Sequence, residues 1–414
     1  MRAHVAADSP SLLRRLNSTL ILDTIRRDGP ISRPALARAT GLSKPTVNQV
    51  AELLLEQGFV EEAEETGDGP RRPGPRARQL RFRADIGHVL GIDVGADNAL
   101  AVVADLSGRT VATARRPVSS GSGRARVLRA VEKVARDALA QSGRGFDEVR
   151  MAGVATPGVV HPVTGRISLA PQIAGWDGLE LGAELERRLG CPVIADNEAR
   201  LSLLAERWRG VARDVRHVAY VQVGIGIGGA LLIDGQLFRG RNGAAGEISY
   251  LLDVDVPEDD APGATPTGPF ERAAGGRAYA RLGAAVAATA KGKLLRELAG
   301  GDPGAVSART VFAAAARGDA AAAAIVDELT ARLGRGVANV ATVIDPELVV
   351  LGGGIRNAGR AVLEPVERAV QAAVPFPPPV VLSQLGDDGS ALGALRRALD
   401  AVDEQLFSFA TAAP

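Results

Sequence analysis

The 414-residue chain is poor in the residues that build disulfides, metal sites and aromatic cores. Its single cysteine, Cys191, rules out an internal disulfide and suits a reducing compartment such as the cytoplasm. Cys191 precedes Pro192 and a short apolar strand, which reads as packing. The four histidines, His4, His88, His161 and His217, stand at no spacing suited to a zinc site. Aromatics make up 3% of the chain against 46% hydrophobic residues, so the cores are expected to be small-residue helices laid on sheets. No apolar run reaches the roughly 18 residues of a membrane span, and "MRAHVAADSP" lacks the apolar core of a signal peptide. The expectation is a cytoplasmic protein of two or three packed domains with no membrane partner.

An overall excess of charge is also missing, but the balance is uneven. The net charge is +1, yet residues 1–83 carry 14 Lys+Arg against 10 Asp+Glu, and the remainder carries 35 against 38. Within 69–83, "GPRRPGPRARQLRFR", six arginines stand without an acid. A basic block at one end of a near-neutral chain points to a polyanion at that end.

What is present there is a helix-turn-helix. Leu12, Leu13, Leu16, Leu20, Ile21 and Ile25 recur at helical spacing over 11–28. Two further helices open alike, "SRPALARATG" and "SKPTVNQVAELLLEQG": a serine cap, a basic residue, then proline in the first turn, where no N–H is needed. Each stops at glycine, and "TGLS" between them makes the tight turn. In the second, Val47, Val50, Ala51 and Leu54 form the buried stripe. Ser43, Lys44, Thr46, Asn48 and Gln49 are left at the N-terminal tip, the types that read base edges and phosphates, with Arg33 opening the preceding helix. "GFVEEAEE" reads as a strand and wing. Arg71, Arg72 and Arg76, held extended by neighbouring prolines, are expected along phosphates or in a minor groove. The division expected is a winged head over 1–66, a basic linker over 67–84, and a body over 85–414.

The body is duplicated. "HVLGIDVGADNALAVVADLSG" from His88 and "HVAYVQVGIGIGGALLIDGQL" from His217 align at an offset of 129 residues. Each reads as strand, glycine turn, strand and hairpin. Helices and strands alternate after both: helices at 124–142, 179–190 and 197–209 with strands at 149–156 and 192–196, then helices near 270–299, 306–316, 318–340, 359–373 and 389–401 with strands at 347–352 and 379–383. The fold class is α/β, with two lobes at about 85–210 and 211–414 and a cleft between them. "DVGADN", "VGIGIGGA" and "LGGGIRNAG" are three glycine turns able to cradle phosphate, carrying Asp93, Gly95, Asp97, Gly224, Gly226 and Gly353.

The ordered set "GIDVGADN", "VATPGVVHPVTGRI", "LAPQIAGWDGLEL", "DNEARLSLLAE", "GIGIGGALLIDGQLFRGRNGAAGEI", "DPELVVLGGGI" and "LSQLGDDGSALGA" resembles the ROK family of repressors and sugar kinases. The resemblance spans nearly the whole chain, and the N-terminal helix-turn-helix matches the family's repressors rather than its kinases. It implies a duplicated actin-like ATPase (ribonuclease H-like) body.

The resemblance also marks departures. The family's first phosphate turn reads Asp-x-Gly-Gly-Thr; here the threonine position is Asp97, whose carboxylate repels a polyphosphate. The second turn's Gly-Thr-Gly is Gly224-Ile225-Gly226. The catalytic Asn-Asp pair is Asn197-Glu198, one methylene longer, which displaces a general base. At the four zinc-ligand positions stand Tyr250, Pro262, Ala264 and Pro269, so no zinc or other cofactor is expected. The two family carboxylates that meet sugar hydroxyls remain, as Glu247 and Glu271. The resemblance therefore implies a DNA-binding regulator, without catalytic residues, that binds a sugar or sugar derivative through Asn197, Glu198, Glu247 and Glu271. The implied partners are a palindromic double-stranded operator and a second copy, as a homodimer or dimer of dimers. The competing readings are a sugar kinase that also binds DNA, and a regulator with an inert cleft answering to a protein partner.

Overall fold

The computed structural model describes residues 9–63, 78–95, 98–118, 121–252 and 267–409. Three helices open the chain, α1 (Ser9–Asp28), α2 (Arg33–Thr40) and α3 (Lys44–Glu56), with strands β1 (Ile31–Ser32), β2 (Val60–Ala63) and β3 (Gln79–Phe82). The serine caps form as the sequence predicts. Ser32 accepts the Ala35 N–H and Ser43 the Thr46 N–H, and Gly41 closes α2 at φ 69°, a left-handed conformation glycine adopts without strain. Ile21, Leu22, Ile25, Leu36, Val47, Val50, Ala51 and Leu54 close the core beneath a sheet ordered β1-β3-β2. Within the segment expected to be linker, Gln79–Phe82 is instead the middle strand of this sheet. It pairs antiparallel with both β1 and β2.

The first lobe contains β4 (His88–Val94), β5 (Asn98–Asp105), β6 (Thr110–Pro117), α4 (Arg124–Ser142), β7 (Val149–Thr156), β8 (Val159–Val160), β9 (Ile167–Ser168), α5 (Leu181–Leu189), β10 (Val193–Asn197) and α6 (Glu198–Arg209). The second contains β11 (Val218–Val223), β12 (Ile227–Ile233), β13 (Gln236–Phe238), α7 (Pro269–Ala274), α8 (Gly276–Ala287), α9 (Lys293–Leu298), α10 (Ala308–Ala316), α11 (Ala320–Ile344), β14 (Leu348–Gly352), α12 (Arg360–Ala373), β15 (Val380–Leu382) and α13 (Gly389–Phe409). The sheets run β6-β5-β4-β7-β10 and β13-β12-β11-β14-β15. In both, the first three strands in sequence are antiparallel and the last two join in parallel. The sequence repeat is therefore a repeat of topology.

The helix expected over 270–299 breaks into α7, α8 and α9. A side chain on Gly276 would strike the Gly224 carbonyl, and one on Gly292 the Val286 carbonyl. The chain must turn where backbone approaches backbone so closely.

The longest-range feature is α13. It closes the second lobe in sequence but lies on the sheet of the first, burying Ala391, Leu395, Ala398 and Leu399 against Val89, Leu100, Val102 and Met151. Glycines make the approach possible: a Cβ on Gly153 would lie 1.9 Å from the Ala394 carbonyl oxygen, and one on Gly91 2.3 Å from that of Ala391. In turn α6 buries Ala199 and Leu203 against Val218, Tyr220, Ala230 and Leu232 of the second sheet. Among the described residues, no helix is long and apolar enough to cross a membrane.

Candidate functional site

The lobes enclose a cleft of ≈ 320 Å³ whose polar lining includes Asp93, Glu198, Glu247 and Glu271. Each carboxyl is delivered by a turn or an element end. Asp93 sits near the end of β4 and lines the cleft together with Ser390 at the start of α13. Glu198 begins α6. Glu247 follows Gly246, which is held at φ 92° beneath the Gly229 carbonyl. Glu271 lies in α7 and accepts the Ile227 N–H at 3.0 Å.

Crowding acids in a half-buried space raises their proton affinity. Burial, then Asp93, Glu247 and Glu271, push the Glu198 carboxyl up to about 8. Burial pushes Asp93 up to about 6, opposed by Ser390 and by Arg115. Glu247 is raised by burial, with Arg200 opposing and Glu271 adding. This shift favours the protonated form of Glu198, which donates a hydrogen bond better than it accepts a proton.

Asn197 is committed to structure. Its side-chain oxygen accepts the Ala199 and Arg200 N–H groups at 3.0 and 3.2 Å, and its amide donates to the Gly158 carbonyl at 2.9 Å. It caps α6 and points Glu198 inward. Beside it is a buried ion network absent from the sequence expectations. Arg200, 1% exposed, donates to Asp196 at 2.7 Å and to the Gly243 carbonyl. Arg239 of the second lobe reaches the other Asp196 oxygen at 2.9 Å. Asp196 and Arg200 are visible in sequence as an i, i+4 pair, which ordinarily marks an exposed helix face. Only the second lobe closing over them buries it.

The glycine turns are partly used up. Gly224 N–H bonds the Gly226 carbonyl at 2.9 Å and Ile227 N–H bonds Glu271, while the Gly224 and Ile225 carbonyls accept from Gly276 and Arg277 at the start of α8. Ile225 is 44% exposed. Gly95 N–H bonds the Asn98 carbonyl within its hairpin. Gly353 serves packing: it stands at φ 78° with its Cα against the Val223 backbone. Asp97 lies outside the described residues.

In the head, Lys44, Asn48 and Gln49 are exposed at the tip of α3. Thr46 is half-buried and its hydroxyl meets that of Ser43 at 2.8 Å. Arg33, expected to face DNA, is held by Glu52 at 2.9 Å and Glu62 at 3.1 Å. Acids of α3 and β2 brought near by the fold outcompete solvent for it. Arg71, Arg72 and Arg76 fall between β2 and β3, outside the described residues. Head and body meet through α1 and α13: Arg26 donates to Asp403 at 2.7 Å and stacks on Phe82 at 4.5 Å.

Residues 89–401 match the ROK family. The chain belongs to that family. Residues 15–69 of this ROK chain match the MarR family, covering the head. A putative xylose repressor of Caldicellulosiruptor sp. (strain Rt8B.4) is 31% identical over 249 residues, 60% of this chain and 61% of that one. The chain thus spans about three fifths of the length of the curated relatives it matches. A ROK family transcriptional regulator, a homologue of the E. coli MLC protein, superposes with TM-score 0.74 over 96% of this chain and 98% of its own, at 22% identity, a likeness of fold. A ROK family glucokinase from Streptomyces griseus, in complex with glucose and AMPPNP, superposes with TM-score 0.65 at 26% identity over 76% of this chain and all of its own.

Of the four positions that the family resemblance assigns to zinc ligands, Tyr250 and Pro269 fall among the described residues. Tyr250 is 40% exposed, and burial of its hydroxyl together with Glu247, Glu271 and Asp177 raises its pKa, which keeps it a neutral phenol. Pro269 is the first residue of α7 and carries no donor. Pro262 and Ala264 lie outside the described residues.

Proposed function

We propose that this chain is a sequence-specific DNA-binding transcriptional regulator, a repressor of genes for sugar uptake or metabolism, acting in the cytoplasm, with a sugar seated between its lobes as effector. The observation that carries the reading is the course of α13. Its first turn lines the cleft through Gly389 and Ser390, alongside Asp93, and Asp403 near its other end holds Arg26 of the head. From Ser390 to Asp403 is roughly 20 Å along a helix rising about 1.5 Å per residue. One rigid element thus touches both places that must communicate.

Lys44, Asn48 and Gln49 would face the major groove, and the arginines of 71–76 the backbone beside it. A homodimer, or a dimer of dimers, reading a palindrome with half-sites one or two turns apart follows from the symmetry such heads need. A sugar drawing Glu198 of the first lobe toward Glu247 and Glu271 of the second would tilt α13 and change how the heads are presented. A coupling of about 1–3 kcal/mol changes operator affinity roughly 5–150-fold.

Phosphoryl transfer is the competing use of the cleft. Against it stand the raised proton affinity of Glu198 at the base position, Ile225 in place of a hydroxyl donor, and the Gly224 and Ile227 amides already bonded within the protein. The deciding experiment selects bound genomic fragments with the full chain, then measures affinity for the winner with and without a panel of sugars. A sugar that shifts affinity at least fivefold is the expected result. Binding of every fragment no better than random duplex at physiological salt overturns the reading, as does sugar-dependent ADP release abolished by Glu198→Gln.

A further inference from the structure

Beside the cleft, the second lobe rests on the first through the loop that leaves β13 and delivers Glu247. Two glycines pin this loop. Gly243 stands at φ 77°, and a Cβ there would lie 2.3 Å from the carbonyl oxygen of Val160 in β8 of the first lobe. Gly246 lies against the Gly229 carbonyl of its own lobe. Between them the backbone closes on itself. Ala245 N–H bonds the Arg239 carbonyl at 3.1 Å, and Glu247 N–H bonds the Ala244 carbonyl at 3.2 Å. The position of Glu247 is thus tied to that of Arg239.

Three charges clamp the loop onto the first lobe. One oxygen of Asp196 accepts from Arg200 Nε at 2.7 Å and from the Asn197 N–H at 2.8 Å. The other accepts from Arg239 Nη2 and Nε, at 2.9 and 3.2 Å. Arg200 spans the lobes a second time: Nη1 donates to the Gly243 carbonyl, and Nη2 to the Val160 carbonyl at 3.5 Å. None of Asp196, Arg200 and Arg239 lines the cleft. Taking such charges out of water is expensive, and well-packed apolar side chains would join two surfaces at least as firmly. What an ionic cluster adds is that its hydrogen bonds are satisfied in a single arrangement of the partners. Two guanidiniums against one carboxylate also leave surplus positive charge inside the protein. Arg200 favours the ionised form of Glu247, against the burial and the neighbouring Glu271 that raise its carboxyl.

We infer that Arg239 and Arg200, joined through Asp196, form an interlobe latch that positions Glu247: the latch closes only with the loop seated on β8, and in that arrangement Glu247 faces the cleft as an acceptor for the effector. Both arginines are positioning residues. The inference rests on the sugar-sensing reading above for what Glu247 holds, whereas the latch itself belongs to the ligand-free chain.

The test changes Arg239, whose side chain is 34% exposed and so is replaceable without opening a buried hole. The full-length chain is compared with Arg239→Met, which keeps the apolar stem, and Arg239→Lys, which keeps the charge. Hydrogen exchange of the Ala245 and Glu247 amides is measured without ligand, and affinity by calorimetry for pentoses, hexoses and N-acetylhexosamines. Arg239→Met should speed exchange by about tenfold or more. It should weaken sugar binding about 5–30-fold, as for the loss of one charge-assisted hydrogen bond, while Arg239→Lys loses less than about fivefold. Exchange at the wild-type rate in Arg239→Met overturns the latch. Faster exchange with unchanged affinity overturns the positioning of Glu247 and leaves the sensor reading standing. Arg239→Lys no better than Arg239→Met in both measurements marks a packing role and overturns the ionic latch. A wild type that binds no sugar removes the sensor reading and the role of Glu247 with it, and the exchange comparison alone then decides the latch.

Discussion

Replacing Glu198 by glutamine should stabilise the ligand-free protein, and by an amount that grows with pH. Burial and three neighbouring acids raise the Glu198 carboxyl from 4.5 to about 8. The folded state therefore holds this proton more tightly than the unfolded chain does. The associated stabilisation is fully present below about pH 4.5 and is lost as pH rises through about 8. Three and a half decades of proton affinity at 1.36 kcal/mol each set a ceiling of about 5 kcal/mol. Glu198 keeps some contact with the solvent of the cleft, and screening there reduces the expectation to about 2–4 kcal/mol. At roughly 2 °C per kcal/mol for a body of this size, Glu198→Gln should melt about 4–8 °C above wild type at pH 9 and within about 1 °C of it at pH 5. Paired melting curves at pH 5, 6, 7, 8 and 9 measure this directly, since effects of pH elsewhere cancel in the difference. A difference constant across that range, or a variant less stable than wild type at pH 9, would refute the claim that the cleft holds a carboxyl against its electrostatic preference.

Asp403→Ala should loosen the head, because it leaves the Arg26 guanidinium over Phe82 without its carboxylate. A loss of about 1–3 kcal/mol is expected, seen as faster amide exchange in α1, with operator binding retained but no longer responsive to sugar. An intact sugar response would remove α13 from the pathway. Gly153→Ala places a methyl 1.9 Å from the Ala394 carbonyl oxygen and should destabilise by roughly 3 kcal/mol, whereas Gly123→Ala, with nothing within 4 Å, should be near neutral in the same melting assay. Asn48→Ala should flatten the preference for operator over random duplex. Arg72→Ala should weaken binding to both alike and reduce the salt slope by about one. Unchanged behaviour of both would overturn the docking of the head.

Local signals were enough for most of the elements. The helix at 124–142 and the strand at 149–156 form at the predicted bounds, and the serine caps of α2 and α3 act as read, because periodicity and capping depend on neighbours a few residues away. The duplication was legible for a related reason: a repeated topology retains a repeated pattern of glycines and apolar residues. The carboxyls Glu198, Glu247 and Glu271 could be nominated through the family resemblance, and they do line one cleft.

Contacts between distant segments needed the tertiary structure. Arg33 is drawn off by Glu52 and Glu62, Gln79–Phe82 becomes a strand, and Asn197 spends its amide on the cap and on Gly158. The α13 helix was visible as a helix, but its place on the first lobe was not. That place depends on Gly91 and Gly153, residues more than 240 positions away, leaving room for its carbonyls. By itself the chain determined which segments are helices and strands, because those choices are made over a few residues of backbone and side chain. Which charges stay free, which are buried, and how the cleft is joined to the head were decided only when the sheets and α13 came together, because burial and proton affinity belong to surroundings that no single segment possesses.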